Sequence, residues 1–430
     1  MKSPQPGQVA SWTGIPPDHP FSPYTLPYGV FVLGTDCSNP AAISASCPQN
    51  ADVAGPQPHV GVAVGERVLD LTAASAVLLT EHAALFRGGN LDTLLAAGRR
   101  TWTALRATVT GWLTDQRHAE ALAPLLVPAA DVTMRLPFTV ADYVDFSSCE
   151  QHATNVGQIL RPGQPPLPPS WRHLPVGYHG RAGTVVISGT PVDRPHGQRR
   201  LPNGTVTFGP STALDFEAEI GFVVGTPSIP GRPVGLTGFT DHVFGLCLIN
   251  DWSARDIQAW ESVPLGPLLG KSFATSISPW VVPLDALSAV RIRPPTRHPR
   301  PLPHLDDTGT EPWGLDITLE VRLNGQLVSR PPFAGMYWTP AQQLAHLTSN
   351  GTRLRTGDLF ASGTVSGAAP DQRGSLIELS WNGSSPLTLA DGCTRSFLAD
   401  GDEVSISATA PGPDRTVIAL GEVRGQINHS

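Results

Sequence analysis

Residues 214–225 read LDFEAEIGFVVG. On a β-strand alternate side chains share a face, so Phe216, Ala218 and Ile220 point one way and Glu217 and Glu219 the other. Two carboxylates side by side repel unless they are solvated or bridged by a cation. A wetted sheet face is the ordinary explanation, because antiparallel sheets often expose one side. The rest of the run is apolar, however, which places the strand centrally and leaves the two glutamates in need of a counter-charge.

Short apolar runs of the same kind recur on either side, separated by turn signals: TVVISGTPV at 184–192, HVFGLCLIND at 242–251, LDITLEVRLNGQLVS at 315–329 and GSLIELSWNG at 374–383. Asn324-Gly325 is a strong hairpin signal. Upstream, HVGVAVGERVLDL at 59–71 alternates around Gly65-Glu66 and reads as another hairpin. Between 74 and 127 the period becomes helical, most clearly in LDTLLAAGRRTWTALRATV at 91–109. Pro128 and the polar turn near 130 set a domain boundary at roughly 130–138. With 44 Pro and 43 Gly dispersed along 430 residues, the chain is expected to be mainly β, in two domains, with many turns and long loops. The segment at about 36–57, with Cys37 and Cys47, is expected to be a surface loop.

Composition narrows the function classes. A formal charge of −7 without a basic stripe argues against nucleic-acid binding, and no run of like charge suggests a membrane surface. Five cysteines without a CxxC pair argue against a disulfide scaffold or a thiolate zinc site. The start lacks the apolar core of a signal peptide and no apolar stretch is long enough to span a bilayer, so a cytoplasmic protein is expected. Of 29 basic residues only Lys2 and Lys271 are lysine. A compact ammonium is not equivalent to a guanidinium, which singles out Lys271, in the loop PLGPLLGKSFATSISPW at 264–280; chance retention is the alternative.

Other polar residues stand out against apolar surroundings. Asp251 follows an apolar strand. Ser253 with Asp256 fits a helix N-terminal capping pattern, on which Arg255 and Gln258 would share a face. In DYVDFSSCEQHATNVGQILRP at 142–162, Ser148 with Gln151 resembles a capping box and puts His152 early in a helix. A lone histidine is usually structural; its alternative is a general base near neutral pH. Glu378 sits between Ile377 and Leu379 in what reads as an apolar strand, so it must face outward or be buried with a partner. Asp145, Glu217, Glu219 and Asp251 are hard oxygen donors; if they converged they could not all ionise without a cation such as Ca²⁺ or Mg²⁺.

DFSSCEQHATNVG, LPVGYHGRAGTVVISGTP, LDFEAEIGFVVG, FGLCLINDWSARDIQAWE, PLGPLLGKSFATSISPWVVPLDAL, ASGTVSGAAPDQRGSLIELSW and FLADGDEV resemble, in order and spacing, the fumarylacetoacetate hydrolase family. LPYGVF and VGVAVGERVLDL resemble its first domain, so the likeness covers nearly the whole chain. It implies a mainly β fold: a small N-terminal SH3-like β-barrel domain with helices over 1–135 and a larger C-terminal mixed β-roll domain over 136–430, in a homodimer. It implies metal-dependent hydrolysis of the C–C bond of 4-fumarylacetoacetate to fumarate and acetoacetate, the last step of tyrosine and phenylalanine catabolism. The residues matching its metal ligands are Asp145, Glu217, Glu219 and Asp251, holding Ca²⁺ or Mg²⁺, with Asp251, Lys271 and Thr275 matching a second, magnesium contact. His152 matches the catalytic base and Glu378 its orienting partner. Arg255, Gln258 and Lys271 match groups that stabilise developing negative charge. Arg161, Tyr178 and Thr364 match substrate-contacting positions, with Arg255 and Gln258 also at the substrate.

Two departures bear on specificity. The family usually has tyrosine at the positions of Ser147 and Ser262, so the pocket here is expected to be wider and wetter. Hydrolysis or decarboxylation of another acylpyruvate or diketo acid is therefore a competing expectation, and a non-catalytic metal- or ligand-binding relative is a second. The presence of His152, Glu378 and Lys271 argues against the latter.

Overall fold

The computed structural model describes residues 11–16, 18–34, 56–78, 80–412 and 416–429. Most of the 36–57 segment, including Cys37 and Cys47, lies outside the described residues. The first sheet is antiparallel and five-stranded. It is built from β1 (Tyr28–Leu33), β2 (His59–Val64), β3 (Arg67–Asp70), β4 (Leu126–Pro128) and β5 (Val132–Arg135), in the order β4-β3-β2-β1-β5. The expected hairpin is present, with Val64 opposite Arg67 across Gly65-Glu66 and Gly65 at φ 60. The helical stretch at 91–109 is two helices, α1 (Asp92–Ala96) and α2 (Arg99–Thr114). Gly98, at φ 83, takes the left-handed conformation that separates them. The α2 stripe of Trp102, Leu105, Val109, Trp112 and Leu113 is buried at helical spacing.

The larger sheet has eight strands. β6 (Asp142–Phe146), β7 (Gly177–His179), β8 (Val185–Ile187), β9 (Ala218–Val224), β10 (Val243–Asp251), β11 (Thr275–Ile277) and β14 (Asp358–Ala361) run in the order β7-β6-β14-β9-β10-β11-β8, and the short strand Val282–Pro283 pairs with β10. Pairing is mixed: β14 with β6 and β11 with β8 are parallel, while the central β9–β10 ladder is antiparallel. A four-stranded antiparallel sheet of β12 (Thr318–Leu323), β13 (Gln326–Ser329), β15 (Glu403–Pro411) and β16 (Val417–Gln426) shares a core with it. The β12–β13 turn is Asn324-Gly325, both at positive φ, as the sequence signal requires.

β9 and β10 are buried along their whole length, as strands covered on both faces must be. Phe216, Ala218, Ile220 and Phe222 enter the core shared with Val404, Ile406, Leu420 and Val423. On the other face Val223, Cys247, Ile249 and Leu359 share a second core with Tyr28, Leu95 and Trp102 of the N-terminal part. The exposed-face reading of Glu217 and Glu219 is thereby overturned: they are 4% and 0% exposed. Gly221 marks how tightly the second face is packed, since a Cβ there would lie 2.4 Å from Ile249 Cδ1. No helix among the described residues is long and apolar enough to cross a membrane.

Candidate active site

Strand register assembles the acidic cluster. Asp145 is near the end of β6, parallel-paired to Ala361, which pairs in turn with Gly221 of β9. Glu219 lies two residues along β9, Glu217 just before it, and Asp251 ends β10 with its amide bonded to the Glu217 carbonyl at 3.1 Å. One carboxylate oxygen from each of Asp145, Glu217, Glu219 and Asp251 falls within 4.8 Å of the others, all four residues buried.

Two cations face the cluster. Lys271 Nζ donates to Glu217 Oε2 at 2.5 Å and to Asp251 Oδ2 at 2.6 Å. Its compact ammonium thus bridges two carboxylates of the cluster. Arg255 Nη2 lies 2.5 Å from Glu217 Oε1, a buried ion pair on the cleft wall. Thr275, opposite Asp251 in the β10–β11 register, donates to Asp251 Oδ1 at 2.9 Å. Tyr178, opposite Asp145, donates to Asp251 Oδ2 at 2.8 Å.

The charges do not balance. Burial first, then repulsion from Asp251 and Glu217, push Asp145 up to about 8 against the pull of Lys271. Burial and the neighbouring carboxylates also raise Glu219 well above the usual range, and burial raises Asp251. Glu217 goes the other way: burial is outweighed by Arg255, Lys271 and His152. Lys271 is held charged, its burial outweighed by Asp251, Glu217 and Asp145. Asp145 Oδ1 and both Glu219 oxygens are buried without a hydrogen-bond partner. Orphaned buried oxygens are rare and costly. An all-oxygen set with unused lone pairs fits a hard divalent cation.

Beside the cluster is a carboxylate-held imidazole. His152 lies in the first turn of α3 (Glu150–Leu160). Its Nδ1 is 2.7 Å from Glu378 Oε2. Glu378 is fully buried and accepts four bonds in all: from His152, Asn155 Nδ2 at 2.9 Å, Ser366 Oγ at 2.9 Å and Ser375 Oγ at 2.7 Å. Burial raises the Glu378 carboxyl, but His152 and these donors outweigh it and hold it low, hence ionised. With Nδ1 engaged, Nε2 is the nitrogen left for chemistry.

Three local expectations need correction. Glu378 is not in a strand: Leu376–Leu379 is a single helical turn, α5 here, with α4 being Arg255–Glu261. Ser148 does not cap α3; the N-cap is Cys149, and the Ser148 hydroxyl accepts from Gln343 Nε2 at 2.6 Å. Ser253 does not cap α4, whose N-cap is Ala254; Asp256 instead accepts from Ser211 Oγ at 2.6 Å and Thr212 N at 2.8 Å. The shared face of Arg255 and Gln258 is correct, with Nη1 donating to Gln258 Oε1 at 3.3 Å.

A cleft of about 360 Å³ joins these groups. Asp145, Ser147, His152, Arg161, Tyr178, Glu217, Arg255, Gln258, Lys271 and Thr364 all line it. Arg161 is at its exposed rim, bonded to the Pro166 carbonyl at 2.7 Å. Thr364 is buried with an unpartnered hydroxyl. Gly363 turns the chain into that position at φ 77, where a Cβ would sit 2.1 Å from the Phe146 carbonyl oxygen. Ser262 is not on the cleft wall; its hydroxyl donates to the Gln258 carbonyl at 2.5 Å. The sequence reading missed Asn155, Ser366 and Ser375, of which Asn155 was detectable, three residues after His152 on one helical face. It also missed Asp215, whose buried carboxylate holds Arg255 at 2.8 Å.

A mainly β fold with a buried carboxylate cluster beside a glutamate-held imidazole has the make-up of an enzyme site with a cation centre and a base, and the family matches make its class that of the hydrolases. The profile of the fumarylacetoacetate hydrolase C-terminal region matches residues 142–428, and that of the fumarylacetoacetase N-terminal region matches 50–137. Human fumarylacetoacetase is 41% identical, over 97% of this chain and 98% of its own. Fumarylacetoacetase of Arabidopsis thaliana is also 41% identical, with the same coverage. The solved fumarylacetoacetate hydrolase of psychrophilic Exiguobacterium antarcticum superposes with a TM-score of 0.51 at 17% identity, covering 94% of this chain and all of that one, a likeness of fold. The chain belongs to the fumarylacetoacetate hydrolase family.

Proposed function

We propose that the protein hydrolyses the C–C bond of 4-fumarylacetoacetate to fumarate and acetoacetate, closing tyrosine and phenylalanine catabolism. The observation that carries this reading is that the Glu378-held His152 lines one cleft with Asp145 and Glu217 of the four-carboxylate cluster, in a chain 41% identical to fumarylacetoacetases over nearly its full length.

Asp145, Glu217, Glu219 and Asp251 would hold Ca²⁺ or Mg²⁺, which when bound supplies Lewis-acid polarisation of a dicarbonyl oxygen. Lys271 and Thr275 steady Asp251 within that set. His152 Nε2 takes a proton from water as the oxygen attacks the carbonyl carbon, and Glu378 stabilises the imidazolium at Nδ1. Arg255, Gln258 and Lys271 donate to the developing oxyanion, a preorganised effect commonly worth ~3–4 kcal/mol per donor. The scissile C–C bond breaks with its electron pair on the acetoacetate carbon, and His152 returns the proton there. Arg161, Tyr178 and Thr364 contact the substrate, Arg161 from the rim.

The five-stranded sheet supports reading 1–135 as an SH3-like unit, and the two stacked sheets support reading 136–430 as a β-roll. Exposed Phe208, Val263 and Leu265 supply apolar surface for a homodimer contact. Free thiols at Cys149, Cys247 and Cys393 accord with a cytoplasmic setting. Ser147 on the cleft wall favours one further outcome, a substrate with a bulkier acyl end than fumaryl.

The test is turnover by chelator-treated protein given Ca²⁺ or Mg²⁺, on fumarylacetoacetate and a panel of diketo acids compared by kcat/KM. The reading predicts metal-dependent release of fumarate and the highest kcat/KM for fumarylacetoacetate. Turnover indifferent to chelation, or normal in His152→Ala, would overturn the mechanism.

A further inference from the structure

Asp215 belongs to neither the acidic cluster nor the histidine dyad, yet it touches the supports of both. Its carboxylate is fully buried. Oδ2 accepts from Arg255 Nε at 2.8 Å and from the Ile377 amide at 3.1 Å. Oδ1 accepts from the Leu376 amide at 2.6 Å and the Phe216 amide at 2.8 Å. Arg255 is the guanidinium beside Glu217 on the cleft wall. Leu376 and Ile377 begin the helical turn that carries Glu378, and Glu378 holds His152.

A four-residue helix does not sustain itself, because nucleation fixes several dihedrals for one hydrogen bond. Its first amides have no partner inside the helix. Here one carboxylate takes two of them and also grips a cation from a different helix. We infer that Asp215 is a positioning residue: it fixes Arg255 and the Glu378-bearing turn relative to each other, so that the charge-stabilising and base-orienting halves of the site share one anchor. The inference rests on the function proposed above for those halves.

All four of its partners are N–H donors, so Asp215→Asn sets an NH₂ against N–H on one side or the other. We expect kcat to fall ~10²–10³-fold, the range seen on loss of one preorganised oxyanion donor, with the fold and cation binding kept. On a Glu378→Gln background the same substitution should cost under ~10-fold, because the turn it supports no longer orients a carboxylate. A merely structural role would lower the active fraction by the same factor on both backgrounds, and equal factors overturn the inference. A second measurement covers the case in which Asp215→Asn does not fold. In Arg255→Met, Asp215 loses its guanidinium grip and is held by backbone amides alone, so amide exchange across 374–380 should quicken ~10-fold or more. Unchanged exchange there overturns the shared anchor. If the wild-type protein fails to hydrolyse the diketo acid, the functional reading falls, while the exchange measurement still decides the coupling.

Discussion

Removing the divalent cation should make the protein's stability fall as pH rises, the reverse of ordinary carboxylate behaviour. Asp145 is pushed up to about 8 from a reference value of 3.8, by burial and by Asp251 and Glu217. In the metal-free fold it keeps its proton through the range in which the unfolded chain has already lost it. The folded state then binds more protons than the unfolded state between roughly pH 4 and 8, so unfolding free energy declines with pH there. One group held this way costs ~1.4 kcal/mol per pH unit, or about 4 kcal/mol between pH 4 and 7. Glu219 and Asp251 are raised too and act with the same sign. Glu217, held low, has lost its opposing contribution only well below this window. A bound cation favours the ionised cluster and cancels the slope. Thermal unfolding with chelator and with Ca²⁺ or Mg²⁺, at about pH 5.5 and 8, should show a metal-induced rise in Tm that is roughly 5 °C larger at the higher pH, taking 1–2 °C per kcal/mol in a chain of this length. Titration calorimetry in buffers of different ionisation enthalpy should show protons released on binding, more at the lower pH. A Tm increment that does not change with pH, with no proton release, would refute the view that these carboxyls share one ion.

Further outcomes follow from single side chains. Glu378→Gln should lower kcat ~10²–10⁴-fold while cation affinity, by calorimetry, stays near wild type, since an amide cannot serve four donors or hold an imidazolium. Lys271→Met should move two readouts oppositely: cation affinity rises several-fold as a competing positive charge leaves, and kcat/KM falls ~10²-fold as a donor is lost. Gly363→Ala should destabilise the fold by roughly 2–4 kcal/mol in denaturant titration, because it adds both a left-handed backbone penalty and a Cβ pressed on the Phe146 carbonyl.

Alternation exposed the central strand and its two glutamates, because a period of two is a local property of the chain. The same alternation runs back to Asp215 in LDFEAE, but the chain breaks register there. Leu214-Asp215 pairs instead with Ser253-Ala254, and β9 begins only at Ala218. The turn carrying Glu378 was misread because LIEL is too short for period to separate strand from helix, and its first amide is bonded by Asp215, 161 residues away. Ser148 looked like a cap because the Ser-x-x-Gln pattern is local, whereas its hydroxyl accepts from Gln343, 195 residues away. His152 and Glu378 stood out singly by chemistry; that they meet across 226 residues was implied by resemblance and is seen only in the structure.

Buried ion pairs are weak evidence for stability, since replacing them with well-packed apolar side chains is often neutral or favourable. This site holds six buried acidic groups, Asp145, Asp215, Glu217, Glu219, Asp251 and Glu378, against Lys271, Arg255 and His152. Asp215 and Glu378 have their oxygens satisfied by donors. Asp145 and Glu219 do not, and the β9–β10 ladder holds Glu219 where it could not relax toward solvent. A fold selected for stability alone would place apolar residues at 145 and 219 and extend the core already present on both faces of β9. The orphaned oxygens are therefore the part of the molecule least explained by folding, and a dication they surround accounts for them with the fewest assumptions.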